Sequence, residues 1–203
     1  MGQIMITLKQ FKSHFLCQQS WRKLLAYLGK TKSDDEPFPA SVGLDACGIE
    51  DTLWASIYFP EYDNLWRLYA VWCARQVDHL LTDKCSKRAL VIAERFALGR
   101  ATTEELKDAY LRAYNASCNA YVYTDCDDFR ADVKDRDTFV AARAAQFAAT
   151  DPARPGSAAN AAYAATAGGA ARHALRAKQE RVLRILLDTE TIEIDGWLYY
   201  IDE

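Results

Sequence analysis

Residues 66–106 read WRLYAVWCARQVDHLLTDKCSKRALVIAERFALGRATTEEL, and the spacing of their apolar side chains decides the fold class. Together with the preceding leucine, one set follows the i, i+3, i+4, i+7 pattern of a single helix face: Leu65, Leu68, Tyr69, Trp72, Cys73, Val77 and Leu80. The pattern predicts a long helix that Asp63 caps and that runs through Leu81, with Trp72 on its core stripe. Arg75 and His79 are one turn apart beside this stripe, where they are free to face a partner or a pocket.

The start of a later helix is the clearest local signal in the chain. Gly99 is predicted to end the preceding helix, and Thr102 with Glu105 three residues later forms a capping box. Further along this helix, Tyr110 and Tyr114 lie on one face with alanines interleaved. We favour core packing for these rings, and the alternative is an aromatic platform on which a ligand stacks.

The 203 residues fit one domain. We predict an all-α, single-domain multi-helix bundle with a long alanine-rich C-terminal helix and a small terminal β-hairpin. Its parts are N-terminal helices over residues 8–28, a central helical core over 40–124, alanine-rich helices over 137–187 and a hairpin over 191–203. The long helix is predicted to begin at Ser157 and to continue to about Leu187, interrupted by Gly168 and Gly169.

The N-terminal part is predicted from its capping residues. Thr7 is expected to cap a helix over residues 8–15, and Ser20 is expected to cap a second helix that Gly29 ends. The polar, proline-bearing residues 30–39 are predicted to form a loop. A short helix over 40–46 should stop at Gly48, and another over 49–57 should follow.

The last segment changes from helical to alternating periodicity. Apolar residues at 192, 194, 197, 199 and 201 flank Asp195 and Gly196, which is the signal of a hairpin with a two-residue turn. A lone hairpin is marginally stable unless it packs on something. Docking on the helices is therefore favoured, and the alternative is that the hairpin presents an edge and an aromatic surface to a partner.

Composition limits the function classes. A formal net charge of −3 and a pI near 5.7 provide no basic field for nucleic acid or an anionic membrane. Residues 1–15 lack a secretory signal pattern, and no apolar run is long enough to span a bilayer, so a cytoplasmic protein is expected. The six cysteines include no CxxC pair, which favours reduced, structural thiols over disulfides or metal ligands.

No catalytic or metal-binding motif is present in the sequence. The three histidines are widely separated, and no dinucleotide, P-loop, hydrolase or kinase signature occurs. His79 with Asp83 and Cys85 is the nearest approach to a constellation, but spacing alone does not supply an activated thiol. The aspartate-rich residues 125–137 lack the turn glycine and the final glutamate of a calcium loop. We therefore predict no enzyme, no metal site and no cofactor.

Candidate binding residues come from aromatic and basic positions on the predicted helices. Arg172 and Arg176 are one turn apart on a basic stripe, which suits either a solvated helix face or contact with a phosphate or an acidic partner. The full set of candidates is Trp54, Trp66, Arg75, His79, Tyr110, Tyr114, Arg172 and Arg176.

Three segments carry a family resemblance: GIEDTLWAS at 48–56, LWRLYAVWCARQVDHLLTD at 65–83 and SKRALVIAERFALGRATTEEL at 86–106. Followed by alanine-rich helices, they resemble a family of all-helical proteins of tailed phages and bacteria, labelled immunity proteins of the Imm5 type. The resemblance covers roughly residues 15–187. This chain departs from the pattern in having fewer tryptophans, more tyrosine and aspartate in the third helix region, and the C-terminal hairpin. The resemblance implies a cytosolic binding protein without catalytic residues.

These observations predict a non-enzymatic protein-binding module that neutralises a toxin or a host defence factor. The alternative is a sponge for a small molecule or a nucleotide. Its pocket would lie between helices and be lined by Trp54, Trp66, Trp72, Tyr110 and Arg75.

Overall fold

A computed structural model describes residues 2–12, 18–122, 133–150, 157–166 and 172–200. It is 72% helical, and the predicted all-α class is confirmed at this level. The ten α-helices among the described residues are α1 (Leu8–Lys12), α2 (Gln18–Tyr27), α3 (Ser41–Cys47), α4 (Ile49–Ala55), α5 (Asp63–Arg75), α6 (Lys84–Ala97), α7 (Thr103–Val122), α8 (Val133–Ala148), α9 (Ser157–Thr166) and α10 (Arg172–Thr189). The strands are β1 (Met5–Thr7), β2 (Pro37–Pro39), β3 (Thr191–Ile194) and β4 (Trp197–Tyr200).

Helix α5 is the centre of the fold. All ten residues from 65 to 74 are buried, and α5 contacts α6, α8 and α9. The predicted stripe is thus one side of a helix that is covered on every side. Because of this covering, Arg67 is only 1% exposed, and its guanidinium donates to the carbonyls of Ala148 (3.1 Å) and Thr150 (2.7 Å) at the end of α8. A buried arginine therefore caps the C-terminal carbonyls of a neighbouring helix.

The predicted extent of α5 through Leu81 is wrong. The helix ends at Arg75, and a separate 3-10 turn covers Asp78–Leu80. Between them Val77 leaves helical geometry, with φ −124° and ψ 12°. The apolar period continues past the helix end because Leu81, only 3% exposed, still packs into the core after the turn. Periodicity alone does not distinguish that arrangement from a continuous helix.

The caps predicted at the starts of α7 and α5 have different outcomes. The capping box before α7 is confirmed: the Thr102 N–H donates to Glu105 Oε2 (2.8 Å), and the Glu105 N–H donates to Thr102 Oγ1 (3.1 Å). Gly99 ends the preceding turn at φ 66°. At α5, by contrast, Asp63 is the first helical residue and makes no side-chain cap. Its carboxylate instead lies 3.5 Å from Arg67 Nη2.

The alanine-rich segments form close-packed helices. Helix α8 contacts α5, α6, α7 and α9, and α9 also contacts α4, α5 and α10. The buried alanines of α8, α9 and the residue after α8 are Ala141, Ala142, Ala144, Ala145, Ala148, Ala149, Ala161, Ala164 and Ala165. Small side chains let helix axes approach closely and so suit a crowded centre. The predicted continuous helix from 157 to 187 passes through residues 167–171, which lie outside the described residues.

The N-terminal part contains a ribbon that the sequence did not predict. Residues 30–39 were predicted as a loop, but β2 pairs antiparallel with β1, with Ile6 opposite Phe38. Both side chains are buried, so the proline-flanked segment is held by core contacts. The ribbon continues into the helices, because the Ile4 N–H donates to the carbonyl of Leu187 at 3.0 Å.

Of the two predicted N-terminal caps, one is confirmed and one is wrong. The Thr7 N–H donates to Gln10 Oε1 (2.7 Å), and the Gln10 N–H lies 3.4 Å from Thr7 Oγ1. Helix α2, however, begins at Gln18, so Ser20 lies inside it rather than at its cap. Ser20 is buried, and its hydroxyl donates to Asp51 of α4. The Ser20 hydroxyl therefore bonds to a residue of another helix instead of capping its own.

The C-terminal hairpin is confirmed. Strands β3 and β4 are antiparallel, and Asp195 and Gly196 connect them at φ 53° and 82°, the backbone region that a tight primed turn needs. Ile192 and Ile194 are each 1% exposed. The hairpin therefore docks on the helices through one face.

No helix of the described residues is both long and apolar enough to cross a membrane.

Candidate functional site

A cavity of about 80 Å³ lies where β1, α2, α3 and α4 meet the start of α5 and the end of α10. Its apolar lining includes Ile6, Leu24, Trp54, Phe59, Trp66 and Leu187. We call it the Trp54–Trp66 cavity. Trp54 is 43% exposed, whereas Trp66 is 5% exposed. One tryptophan therefore lies at the solvent side of the cavity and the other lies inside.

Most polar groups around this cavity are engaged within the protein. The Ser20 hydroxyl donates to the Asp51 carboxylate, the Cys47 thiol to the Ser20 carbonyl (3.3 Å), and the Thr52 hydroxyl to the Gly48 carbonyl (2.8 Å). The indole N–H of Trp66 is buried and has no hydrogen-bond partner among the described residues. A buried tryptophan N–H normally has an acceptor. The Trp66 N–H is therefore an unsatisfied donor enclosed by the packing around the cavity.

Of the five residues expected to line a pocket, the structure brings two together. Trp54 and Trp66 line the cavity, but Trp72, Tyr110 and Arg75 do not. Trp66 and Trp72 are six residues apart on α5, a rotation of about 240° that places them on different sides of the helix. Trp72 instead stacks with Tyr69, with ring centroids 6.1 Å apart, and Lys178 Nζ lies 5.5 Å from its ring centroid.

Arg75 and His79 are not neighbours on one helix face, because α5 ends between them. His79 is exposed in the 3-10 turn. Arg75 forms ion pairs with Glu94 of α6 and with Asp195 Oδ2 of the hairpin turn, the latter at 2.8 Å. Glu94 Oε1 also accepts from the Tyr199 hydroxyl at 2.5 Å. Arg75 thus connects α5, α6 and the hairpin and holds the hairpin in place.

The tyrosine pair of α7 lies at the edge of a packed helix face. The rings of Tyr110 and Tyr114 stack with centroids 6.2 Å apart, and Tyr114 is 42% exposed. The core contact is made by the alanines between them, Ala109 and Ala113, which are 5% and 0% exposed. The predicted core packing therefore holds for the alanines rather than for both rings.

Two arginines of α10 are paired with acidic side chains of other helices. Arg176 forms an ion pair with Glu50 of α4, and its Nη1 donates to Gln179 Oε1 at 3.3 Å. Arg184 pairs with Asp45 of α3 at 2.5 Å. The side chain of Arg172 lies outside the described part. Arg176 and Arg184 therefore connect α10 to α4 and α3, and the carboxylates of Glu50 and Asp45 neutralise their charges.

A second surface lies along β4, where two large neighbouring side chains are exposed on opposite faces of the hairpin, Trp197 on the face of Ile194 and Leu198 on the face of Glu193. Trp197 is 71% exposed and Leu198 is 58% exposed. Among the described residues β4 pairs with β3 alone. In a hairpin with a two-residue turn, the pair next to the turn exchanges hydrogen bonds and the following pair, Glu193 with Leu198, does not. The N–H and C=O of Leu198 therefore point away from β3. We call Trp197, Leu198 and this strand edge the hairpin edge.

The candidate residues chosen from the sequence do not include the hairpin edge, although a signal was present. Residues 197–200 read WLYY, four consecutive large side chains in one strand. Because successive side chains of a strand point to opposite faces, a hairpin that docks through one face cannot bury all four. Alternation therefore places Leu198 on the open face with Glu193, whereas Trp197 shares the face of Ile194 and is exposed next to the turn.

The metal-ligating and nucleophilic side chains considered in the sequence can be located in part. No group of three or more histidine, cysteine, aspartate and glutamate side chains among them is placed to hold a metal ion. Asp83, part of the His79–Cys85 constellation, is engaged as the N-cap of α6, where it accepts from the Ser86 N–H at 2.6 Å. Cys47, Cys73, Cys85 and Cys118 form no disulfide bond among the described residues. Cys17, Cys126 and the aspartates at 125–132 fall outside the described segments.

Comparisons with protein-family models, with curated proteins and with solved structures find no match to this chain. The resemblance seen in residues 48–106 stays a prediction, and the function is argued from the two surfaces described above.

Proposed function

We propose that this protein is a non-enzymatic binding module that takes up an extended segment of a partner protein at the hairpin edge. The observation that carries the proposal is the 71% exposure of Trp197 on β4, whose outer edge pairs with no other strand in the described part of the chain. Large exposed aromatic residues are enriched among the anchors of protein interfaces. An open edge supplies main-chain hydrogen bonds to an added strand, as in β-augmentation.

The partner segment has a definable chemistry. On the open face of the hairpin, the exposed Glu193 lies opposite Leu198. A segment that pairs with β4 therefore meets Trp197 on one face and Leu198 on the other, with the negative charge of Glu193 one strand further in on the face of Leu198. We propose a segment that carries apolar residues on both faces and a basic side chain on the face of Leu198. In keeping with the resemblance to immunity proteins, the partner would be a toxin or a host defence component, neutralised by the binding.

The rigidity of the hairpin supports this role. Ile192 and Ile194 are buried, the turn is tied to Arg75, and Tyr199 is tied to Glu94. An edge held in one conformation loses little conformational entropy when a partner strand is added. The nucleotide alternative has less support, because Arg75, Arg176 and Arg184 are each paired with carboxylates.

The test compares variants of the full chain in affinity capture from a host lysate, followed by hydrogen exchange on the recovered complex. Leu198→Pro removes the outward N–H, whereas Leu198→Thr keeps it and removes only apolar surface. We expect a stoichiometric protein partner that the proline variant loses, that the threonine variant binds more weakly, and that protects the Leu198 amide.

Trp54→Ala is the matched control, because Trp54 is exposed at a different site. Capture should be unchanged in this variant. Equal capture by Leu198→Pro and the unaltered chain, or recovery of no stoichiometric protein, would contradict the proposal.

A further inference from the structure

Helix α6 presents a basic face to solvent. Its exposed residues repeat at helical spacing and fall within an arc of about 100° around the helix axis. They are Lys84, Lys87, Arg88, Val91 and Arg95. Val91, which is 48% exposed, lies near the middle of the arc, and the four cations surround it. We call these five residues the α6 face, which is about 16 Å long.

The charge around the α6 face is opposite to that of the rest of the chain. Residues 84–115, from the start of α6 into α7, contain seven lysines and arginines and four aspartates and glutamates, a net charge of +3. The other residues contain 18 basic and 24 acidic side chains, a net charge of −6. The formal net charge of −3 for the whole chain therefore conceals a local basic surface.

The stability of α6 does not explain these cations. Lys84 and Lys87 lie in the first turn of the helix, which contains no acidic residue, and positive charge at this end opposes the helix dipole. Lys84, Lys87 and Arg88 form no ion pair in the described part of the chain, and Arg95 Nη1 lies 3.8 Å from Glu105 Oε1. Three cations of the face are therefore available to a partner.

Acidic groups on both sides limit the width of this partner. On the side of α7, Asp108 lines a notch together with Arg88. On the side of the hairpin, Glu94 and Asp195 are bound to Arg75. A nucleic acid duplex or a membrane is wider than one helix, so its phosphates would approach these carboxylates as well as the cations. A single polypeptide segment can lie along α6 between them.

We propose that the α6 face binds an acidic helix of a partner protein. The carboxylates of this helix repeat every three or four residues, as the cations of α6 do, and one apolar residue lies against Val91. Each exposed ion pair contributes little, so the contact depends on several pairs and weakens as salt screens them. This contact is separate from the proposed strand addition, because the α6 face and the hairpin edge share no residue.

The experiment titrates the full chain with a fluorescein-labelled helical peptide of about 18 residues, long enough to form a helix. The peptide consists of alanine and glutamine, with glutamate at every third or fourth position and one central leucine. Fluorescence anisotropy measures affinity at low and high salt, and ¹H–¹⁵N spectra locate the contact. We expect saturable binding that shifts the amide signals of Lys87, Val91 and Arg95. A peptide with glutamine in place of each glutamate should bind at least about tenfold more weakly.

Charge reversal on the α6 face tests the assignment directly. The combined variant Lys84→Glu, Lys87→Glu and Arg88→Glu should bind the acidic peptide at least about tenfold more weakly. Because it places negative charge in the first turn of α6, it should unfold at no lower temperature than the unaltered chain. Val91→Ser should weaken peptide binding a few-fold, because it removes the apolar contact.

The matched control reverses three exposed cations outside α6. They are Arg22, Lys23 and Lys32, each replaced by glutamate. This variant has the same net charge as the α6 variant and should bind the acidic peptide within about twofold of the unaltered chain. Leu198→Pro separates the two proposals and should bind the peptide unchanged.

Four results would overturn the assignment to an acidic helix. They are the absence of saturable peptide binding, equal binding of the glutamine peptide, equal losses in the two charge-reversed variants, and loss of peptide binding in Leu198→Pro. Tighter binding to a short DNA duplex or to phosphatidylserine vesicles than to the peptide would also overturn it, because the face would then serve a nucleic acid or a membrane.

Discussion

At the scale of single residues, the side chains that matter most are polar groups enclosed by the fold. Tyr199 is a partly buried case in which the effect can be measured. Burial, with the hydrogen bond to Glu94, raises the pKa of its phenol to about 12. Arg75 on the other oxygen of Glu94 keeps that carboxylate paired as well. The same cluster holds the hairpin against α6, so the titration of Tyr199 reports on hairpin docking.

Tyr199 should make stability fall at alkaline pH. The unfolded chain releases the phenol proton near pH 10, whereas the folded protein holds it until about pH 12. Between these values the folded state binds more protons, so the free energy of unfolding decreases as pH rises. The contribution is complete below about pH 10 and lost through pH 12. Urea unfolding followed by circular dichroism should show a smaller decrease in Tyr199→Phe. Tyr27→Phe, at an exposed tyrosine, should follow the unaltered chain, and a decrease in Tyr199→Phe as large as in that control would refute this prediction.

At the scale of elements, helix starts with a local partner were predictable and those with a tertiary partner were not. Thr7 and Thr102 form capping boxes with residues three positions later, and both were found where the sequence places them. Ser20 and Asp63 have the right chemistry for caps, but their partners are Asp51 and Arg67. A side chain that finds a partner in another turn or another helix is no longer available to its own helix end.

Helix α7 should depend measurably on its capping box. Thr102→Ala removes the acceptor for the Glu105 N–H and should lower the free energy of unfolding by about 1 kcal/mol, the usual cost of losing such a cap. Chemical denaturation measures this difference. Thr103→Ala, one position later, is the control and should change stability by only a few tenths of a kcal/mol. Similar losses in both variants would show that the capping box contributes nothing specific.

At the scale of the whole molecule, the helices pack around α5, which is covered on every side. The small alanine side chains of α8 and α9 let these helices pack closely. Helix α8 contacts four other helices, and its buried alanines are at most 1% exposed. The alanine content of residues 140–177 could equally have been read as helix propensity alone. Its packing role is visible only when the neighbouring helices are in place.

Enlarging a central alanine should therefore be costly. Ala145 is fully buried in α8, and Ala145→Leu should destabilise the protein by about 1–3 kcal/mol through overpacking. Ala177→Leu adds the same atoms at an exposed position of α10, where we expect a change within about 0.5 kcal/mol. Thermal and urea unfolding of the two variants compare them directly. A neutral Ala145→Leu would mean that α8 is not tightly packed.

The sequence by itself determined the helical class, the capping boxes and the hairpin turn, because each depends on residues within a few positions of one another. The tertiary structure alone decided where α5 ends and that β1 and β2 pair. It also decided that arginines of α5 and α10 bind carbonyls and carboxylates of other elements. It also brought Trp54 and Trp66 to one cavity while separating them from Trp72, and left Trp197 exposed. These outcomes depend on contacts between distant segments, and local spacing carries no information about which distant segment a side chain will meet.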